Sequence, residues 1–188
     1  LYLPDNGELV IGTGDDLKVY HDGTDSFIHG ITRDGSSGTR YLKIRADETR
    51  MVNEANSAIV ARFIDGGANE LYHNGLKKLT TYSAGVEIHG SEGANCELYL
   101  YADEGDDDAD NWKLTTLAAS STFQLQNRAS GSWETNIEAN GDGNVELYHN
   151  NAKKAETVSG GFTITGTATA TEFVGGGSGL TGVGETIG

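Results

Sequence analysis

One short phrase recurs three times in this chain: Val19-Tyr20-His21-Asp22-Gly23, Leu71-Tyr72-His73-Asn74-Gly75 and Leu147-Tyr148-His149-Asn150-Asn151. Recurrence constrains the fold more than any single residue does, because a repeat is one supersecondary unit that buries its apolar side only against a neighbour. The second and third copies match well beyond the phrase. One constant offset pairs Glu70 with Glu146, Lys77-Lys78 with Lys153-Lys154, Thr81 with Thr157, Ser83 with Ser159, Gly85 with Gly161, Ile88 with Ile164 and Gly90 with Gly166. A repeated backbone unit accounts for this better than a dispersed active site.

Composition leans toward a stack of such units. With 27 glycines and only 8% aromatic residues in 188 positions, the chain has many turns and little core, and a thin core needs help from neighbouring chains. The formal net charge of -15 repels phosphates and argues against a nucleic-acid partner. The single cysteine, Cys96, makes no intrachain disulfide, and no Cys/His spacing resembles a zinc site. The apolar runs are a handful of residues long, so no membrane insertion is expected, and Leu1-Tyr2-Leu3-Pro4 carries no signal-peptide pattern. The chain does not start with methionine, and we read it as a segment of a longer polypeptide.

Short β-rich runs separated by turn signals at intervals of about ten residues predict an all-β protein. Leu17-Lys18-Val19-Tyr20-His21 runs into the Asp22-Gly23 turn, Ser26-Phe27-Ile28 follows, and the stretch from Asp34 to Gly38 leads to a strand at Tyr41-Leu42-Lys43-Ile44-Arg45. Residues 58–64 lead through Asp65-Gly66-Gly67 to the second Tyr-His phrase, and residues 85–90 and 161–166 close the second and third units. In the last of these, Phe162 and Ile164 share one face and Thr163 and Thr165 the other, which predicts one buried and one wet face. Met51 to Phe63 also approximates a helical stripe, but the turn-prone Asn56-Ser57 and the β-branched Ile59-Val60 favour strands. Residues 151–156 are too few to stand as a helix alone.

The chain is thereby divided into a first Tyr-His repeat at 1–40, a second repeat at 41–90, an intervening β segment with an acidic loop at 91–133, a third repeat at 134–166, and a Gly/Thr-rich neck or linker at 167–188. For the last of these, flexible linker and close-packed neck both remain open.

Several of these phrases resemble repeats in tail-fibre-like proteins of marine bacteriophages, especially those infecting cyanobacteria. They are Asp15-Asp16-Leu17-Lys18-Val19-Tyr20-His21-Asp22-Gly23; Glu146-Leu147-Tyr148-His149-Asn150 running on to Phe162-Thr163-Ile164-Thr165-Gly166; the blocks from Ala102 to Leu114 and from Ser130 to Glu134; and the run from Thr171 to Val183. The resemblance covers most of the chain through short phrases. It implies an elongated homotrimer with a β-helix or β-prism shaft, located in the virion and extracellular, with other virion tail proteins and a host surface glycan as partners.

Physical argument reaches a similar assembly, since a narrow chain of short strands leaves edges and apolar stripes that three copies cover by winding together. Leu17, Leu71 and Leu147, or their neighbours, are the candidates for the internal seam, with Lys18, Glu70 and Glu146 outside; the sequence leaves open which member of each pair faces inward.

The recurrent His21, His73 and His149 would cluster on a trimer axis and there bind a transition metal. No His-x-His pair is present, however, and a repeat-fixed polar role is preferred, so no metal ligand or cofactor is assigned. The acidic run from Asp103 to Asp110 invites a calcium reading through Asp106, Asp108 and Asp110. Asn111 stands where the loop needs glycine and Leu117 where it needs glutamate, which favours a solvated loop.

Enzymatic readings are weaker. A tailspike-type polysaccharide depolymerase needs a carboxylate pair in a cleft flanked by sugar-stacking aromatics; among 28 acidic residues nothing singles out such a pair, although Trp112 and Trp133 are the candidates for glycan contact. No Gly-x-Ser-x-Gly elbow is present, Cys96 has no base partner, and the glycines at 175–179 lack the lysine of a phosphate loop. The expectation is therefore an all-β, non-enzymatic fibre segment giving reach and multivalent attachment to the host cell surface. The depolymerase and a bacterial repeat adhesin stand as alternatives.

Overall fold

A computed structural model describes residues 2–30 and 41–172, together with residues 174, 176, 179, 181 and 182. The expected turn from Asp34 to Gly38 and much of the glycine-rich stretch after Glu172 lie outside these residues. The described chain is all-β and folds into three antiparallel sheets in which every strand pairs with its sequence neighbours, none closing into a barrel. The first sheet holds β1 (Glu8–Ile11), β2 (Leu17–His21) and β3 (Ser26–Gly30). The second holds β4 (Glu48–Val52), β5 (Ile59–Ile64), β6 (Asn69–His73), β7 (Leu76–Tyr82) and β8 (Gly85–Ile88). The third runs through β9 (Cys96–Tyr101), β10 (Asn111–Leu117), β11 (Thr122–Asn127), β12 (Glu134–Asn140), β13 (Val145–His149), β14 (Ala152–Val158) and β15 (Gly161–Ile164). Segment 91–133 and the third repeat thus share one seven-stranded sheet.

The repeat in sequence is a repeat in register. Leu71 faces Ala61 on one side and Leu79 on the other, and Leu147 faces Ile137 and Ala155 at the same positions one unit later. Both hairpins carry a bulge at the same step, after Leu71 and after Leu147, which lets Tyr72 and Tyr148 face Lys77 and Lys153. Asn74 and Gly75 take φ of 51° and 76°, and Asn150 and Asn151 take 49° and 58°. Paired left-handed residues are what a two-residue hairpin turn requires, which explains Asn-Gly and Asn-Asn there. The first copy turns differently: the Asp22 carboxylate accepts from the backbone N–H groups of Thr24 and Asp25 at 2.9 and 2.8 Å, making a longer loop.

The stretch from Met51 to Phe63 divides into β4, a turn at which Asn56 has φ 51°, and β5, as the strand reading requires. Two expectations are corrected. Tyr41 to Arg45 form no strand, because residues become strand only through a ladder partner, and β4, the edge of its sheet, begins at Glu48. The buried face expected of β15 is open: Phe162 is 55% exposed and Ile164 45%. Alternation correctly separates apolar from polar residues, but no second layer covers the apolar side.

Candidate assembly surface and its polar counterpart

Because side chains alternate across a strand and the ladders hold register, each sheet sorts its residues into straight cross-strand rows. In the third sheet one row reads Leu98, Leu114, Leu125, Ile137, Leu147, Ala155, Ile164, apolar on all seven strands. The second sheet repeats it as Met51, Ala61, Leu71, Leu79, Ile88, and the first as Leu9, Val19, Ile28. In the single chain these rows are partly open, with Leu71 47% and Leu147 42% exposed, while Leu79, Leu114, Leu125, Ile137 and Ala155 are half-buried and Ala61 is buried. Burying a side chain of this size is worth roughly 1.5–3 kcal/mol, so the rows represent a large unused driving force.

In the second and third sheets the adjacent rows face the other way and are polar. The second sheet carries Arg50, Arg62, Glu70, Thr80 and Glu87. The third carries Glu97, Thr115, Gln124, Glu138, Glu146, Glu156 and Thr163. Among the described residues, nine of the ten buried side chains are polar, Glu70, Thr80, Thr115 and Glu146 among them, and Ala61 is the lone apolar member. The usual distribution is inverted.

A single arrangement explains why carboxylates sit low in this face. Tyr72 donates to Glu70 at 2.6 Å and Lys77 to the other carboxylate oxygen at 3.4 Å. Tyr148 and Lys153 hold Glu146 in the same way, and Tyr99 and Lys113 hold Glu97 at 2.7 and 2.9 Å. Glu97-Leu98-Tyr99 is therefore another copy of the Glu-Leu-Tyr element, which the sequence reading missed because Leu100, not histidine, follows the tyrosine. Hydrogen bonding lowers the pKa of each carboxyl, through Tyr72 first at Glu70, Tyr148 first at Glu146 and Lys113 first at Glu97. The same bonds raise the tyrosines, Tyr148 most strongly. In the second sheet Arg50 and Arg62 together pull the Glu48 carboxyl down to about 2, with Arg62 donating to both its oxygens at 2.8 and 3.2 Å.

The two tryptophans are not one platform. Trp112 pairs with Leu100 on the apolar face, whereas Trp133 packs edge-on against Tyr99, ring centroids 5.8 Å apart, with the Lys113 ammonium 4.8 Å above its ring. His21, His73 and His149 are exposed at strand ends. In the acidic loop the carboxylates of Asp106, Asp107 and Asp110 approach within 4.8 Å of one another, while Asp108 turns to Arg128 at 3.3 Å; this differs from the Asp106, Asp108, Asp110 spacing considered from sequence. No described helix is long and apolar enough to cross a membrane. Compared with protein-family models, with curated proteins and with solved structures, the chain shows no match.

Proposed function

We propose that the chain is a segment of a homotrimeric virion fibre of the tail-fibre type, a β-prism or β-helix shaft whose work is reach and multivalent attachment to a host cell surface. The observation that carries this reading is the distribution of side chains in the second and third sheets: among the described residues all buried side chains but Ala61 are polar, while Leu71, Leu98, Leu147 and Ile164 of the apolar rows stay exposed for other chains to cover. Exposed area agrees. The chain exposes 14434 Å², roughly 1.7 times the ~8,700 Å² expected for a compact protein of its mass. The recurrence of one hairpin in identical register fits a shaft that grows by repetition.

Attachment through such a fibre is multivalent, since identical faces on each fibre convert weak contacts into firm binding through effective concentration. Trp133, beside Tyr99 and Lys113 on the polar face, is the favoured glycan contact; Trp112 belongs to the face that assembly covers. The role is mechanical, not catalytic.

Gel filtration coupled to light scattering is the test. Three chains in a particle that elutes early for its mass are expected, together with detection of the chain in purified virions. A compact monomer overturns the fibre reading and returns the depolymerase to the front.

A further inference from the structure

We infer that the apolar faces of like sheets from the copies close on one another, all chains running in the same direction, with the Glu-Tyr-Lys face turned to solvent. This rests on the homotrimer proposed above and adds which surface makes it and in what register.

Electrostatics selects the face. The apolar rows carry no charge, so a copy of the same face meets them without repulsion. Closure through the polar face would bring Glu138, Glu146 and Glu156 against their own copies in a chain already at -15. The polar face also has little left to offer a partner, because Glu70, Glu97 and Glu146 are each bonded within their own sheet.

Sheet width selects the direction. The sheets hold three, five and seven strands in chain order, so parallel copies match every width at once. Opposed copies would set a three-stranded face on a seven-stranded one and leave most of the Leu98-to-Ile164 row uncovered. The two larger faces are also continuous. Ile88 of β8 lines a hollow of about 190 Å³ with Cys96, Leu98, Leu114 and Phe123, and the Cys96 thiol donates to the Ile88 carbonyl at 3.2 Å.

Cys96 is the chain's one cysteine and lies on the apolar face, so the native protein carries its own probe. A short bismaleimide should link Cys96 to Cys96 between copies. In a Cys96→Ala background, Val19→Cys on the first sheet's apolar face should link to itself at least tenfold more than Gln126→Cys on the polar face of β11. If Gln126→Cys fails to assemble, Thr163→Cys reports on the same polar face. Trimers that link through Gln126 or Thr163 and not Cys96 overturn the inference while leaving the trimer standing. Links at Cys96 without links at Val19→Cys overturn the common direction. A monomer in light scattering removes both.

Discussion

In the second repeat the residue facing Glu70 is Arg62; in the third the residue facing Glu146 is Glu138. The far neighbours differ in the same sense, with Thr80 beyond Glu70 and Glu156 beyond Glu146. Identical backbones therefore carry a balanced ladder in β4–β8 and an acidic one in β9–β15. The acidic ladder is held by neutral donors and two cations: Gln124 donates to Glu138 at 2.6 Å, Asn144 to Glu146 and Glu156 at 2.7 and 2.6 Å, Lys153 to Glu156 at 2.8 Å and Lys113 to Glu97 at 2.9 Å. The comparison teaches that register comes from turns, bulges and the apolar row, since it survives reversal of the charge pattern.

Exchanging the odd residues should expose that asymmetry. Arg62→Glu removes a partner of Glu48 and sets a further carboxylate against Glu70, and should lower stability more than any other substitution considered, given that like charges directly opposite destabilise and paired ones lose their donors. The readout is the denaturant midpoint at fixed protein concentration, with faster amide exchange in β5 and β6. Glu138→Arg should act in the opposite sense, stabilising by roughly 0.5–1 kcal/mol after solvent screening. If Glu138→Arg destabilises instead, the acidic ladder is matched to its amide donors more closely than to charge.

Titration sharpens the contrast from both ends. A carboxyl with a lowered native pKa stabilises the fold above its unfolded value, and this is lost as pH falls through the native value. Glu48, held at about 2, with Glu70 also lowered, makes β4–β8 lose protection progressively as pH falls from about 5 toward 2. A tyrosine with a raised native pKa stabilises below its unfolded value and ceases to as pH climbs past it. Tyr148 is raised most strongly, so alkali well above about pH 10 should weaken β13 and β14 more than β6 and β7, where Tyr72 is raised less. Hydrogen exchange resolved by strand, at both extremes, reads the order; simultaneous loss at each extreme breaks the comparison.

Strand positions were largely legible in the sequence: β2, β8 and β15 fall within the expected runs, because alternation and glycine turns are local signals. What alternation does not reveal is which face is covered, a property of the neighbours a strand acquires. Phe162 and Ile164 share one face as alternation requires, and within the single chain no neighbouring layer covers it. Tyr41 to Arg45 look like a strand locally but find no ladder. Trp112 and Trp133 end on different sides of the third sheet because Trp112 lies within β10 while Trp133 precedes β12, and composition carries no trace of that parity. The Glu-Tyr-Lys arrangement was half visible, as Glu70 paired with Glu146 and Lys77 with Lys153; the Glu-Leu-Tyr triplet at 97–99 was the unused signal.

Features shared by both repeats should respond alike. The Thr81 hydroxyl accepts from the backbone N–H of Asn69 at 2.9 Å, and Thr157 accepts from Val145 at 2.9 Å. Thr81→Val and Thr157→Val should each cost about 1 kcal/mol, the ordinary worth of one such bond. Equal shifts in midpoint are expected; a twofold difference would show that the charge ladders reach the hairpin ends.

The smallest effect lies in the turns, where the repeats differ by one residue. Gly75 takes φ 76° freely, while Asn151 takes 58° at a modest steric cost that asparagine tolerates better than most residues. Asn151 has a compensation that Gly75 lacks: its side-chain carbonyl accepts from the backbone N–H of Thr135 at 2.8 Å, tying the turn to the start of β12. Asn151→Gly thus relieves strain and breaks a bond, and the bond, at about 1 kcal/mol, outweighs the few tenths gained. Gly75→Asn does the reverse, adding strain and offering Ile59, the start of β5, a side-chain acceptor. A shift within about 0.5 kcal/mol is expected there, against a clear loss for Asn151→Gly. If Asn151→Gly leaves the midpoint unchanged, the Asn151 side chain contributes nothing to the third repeat and the two turns are interchangeable.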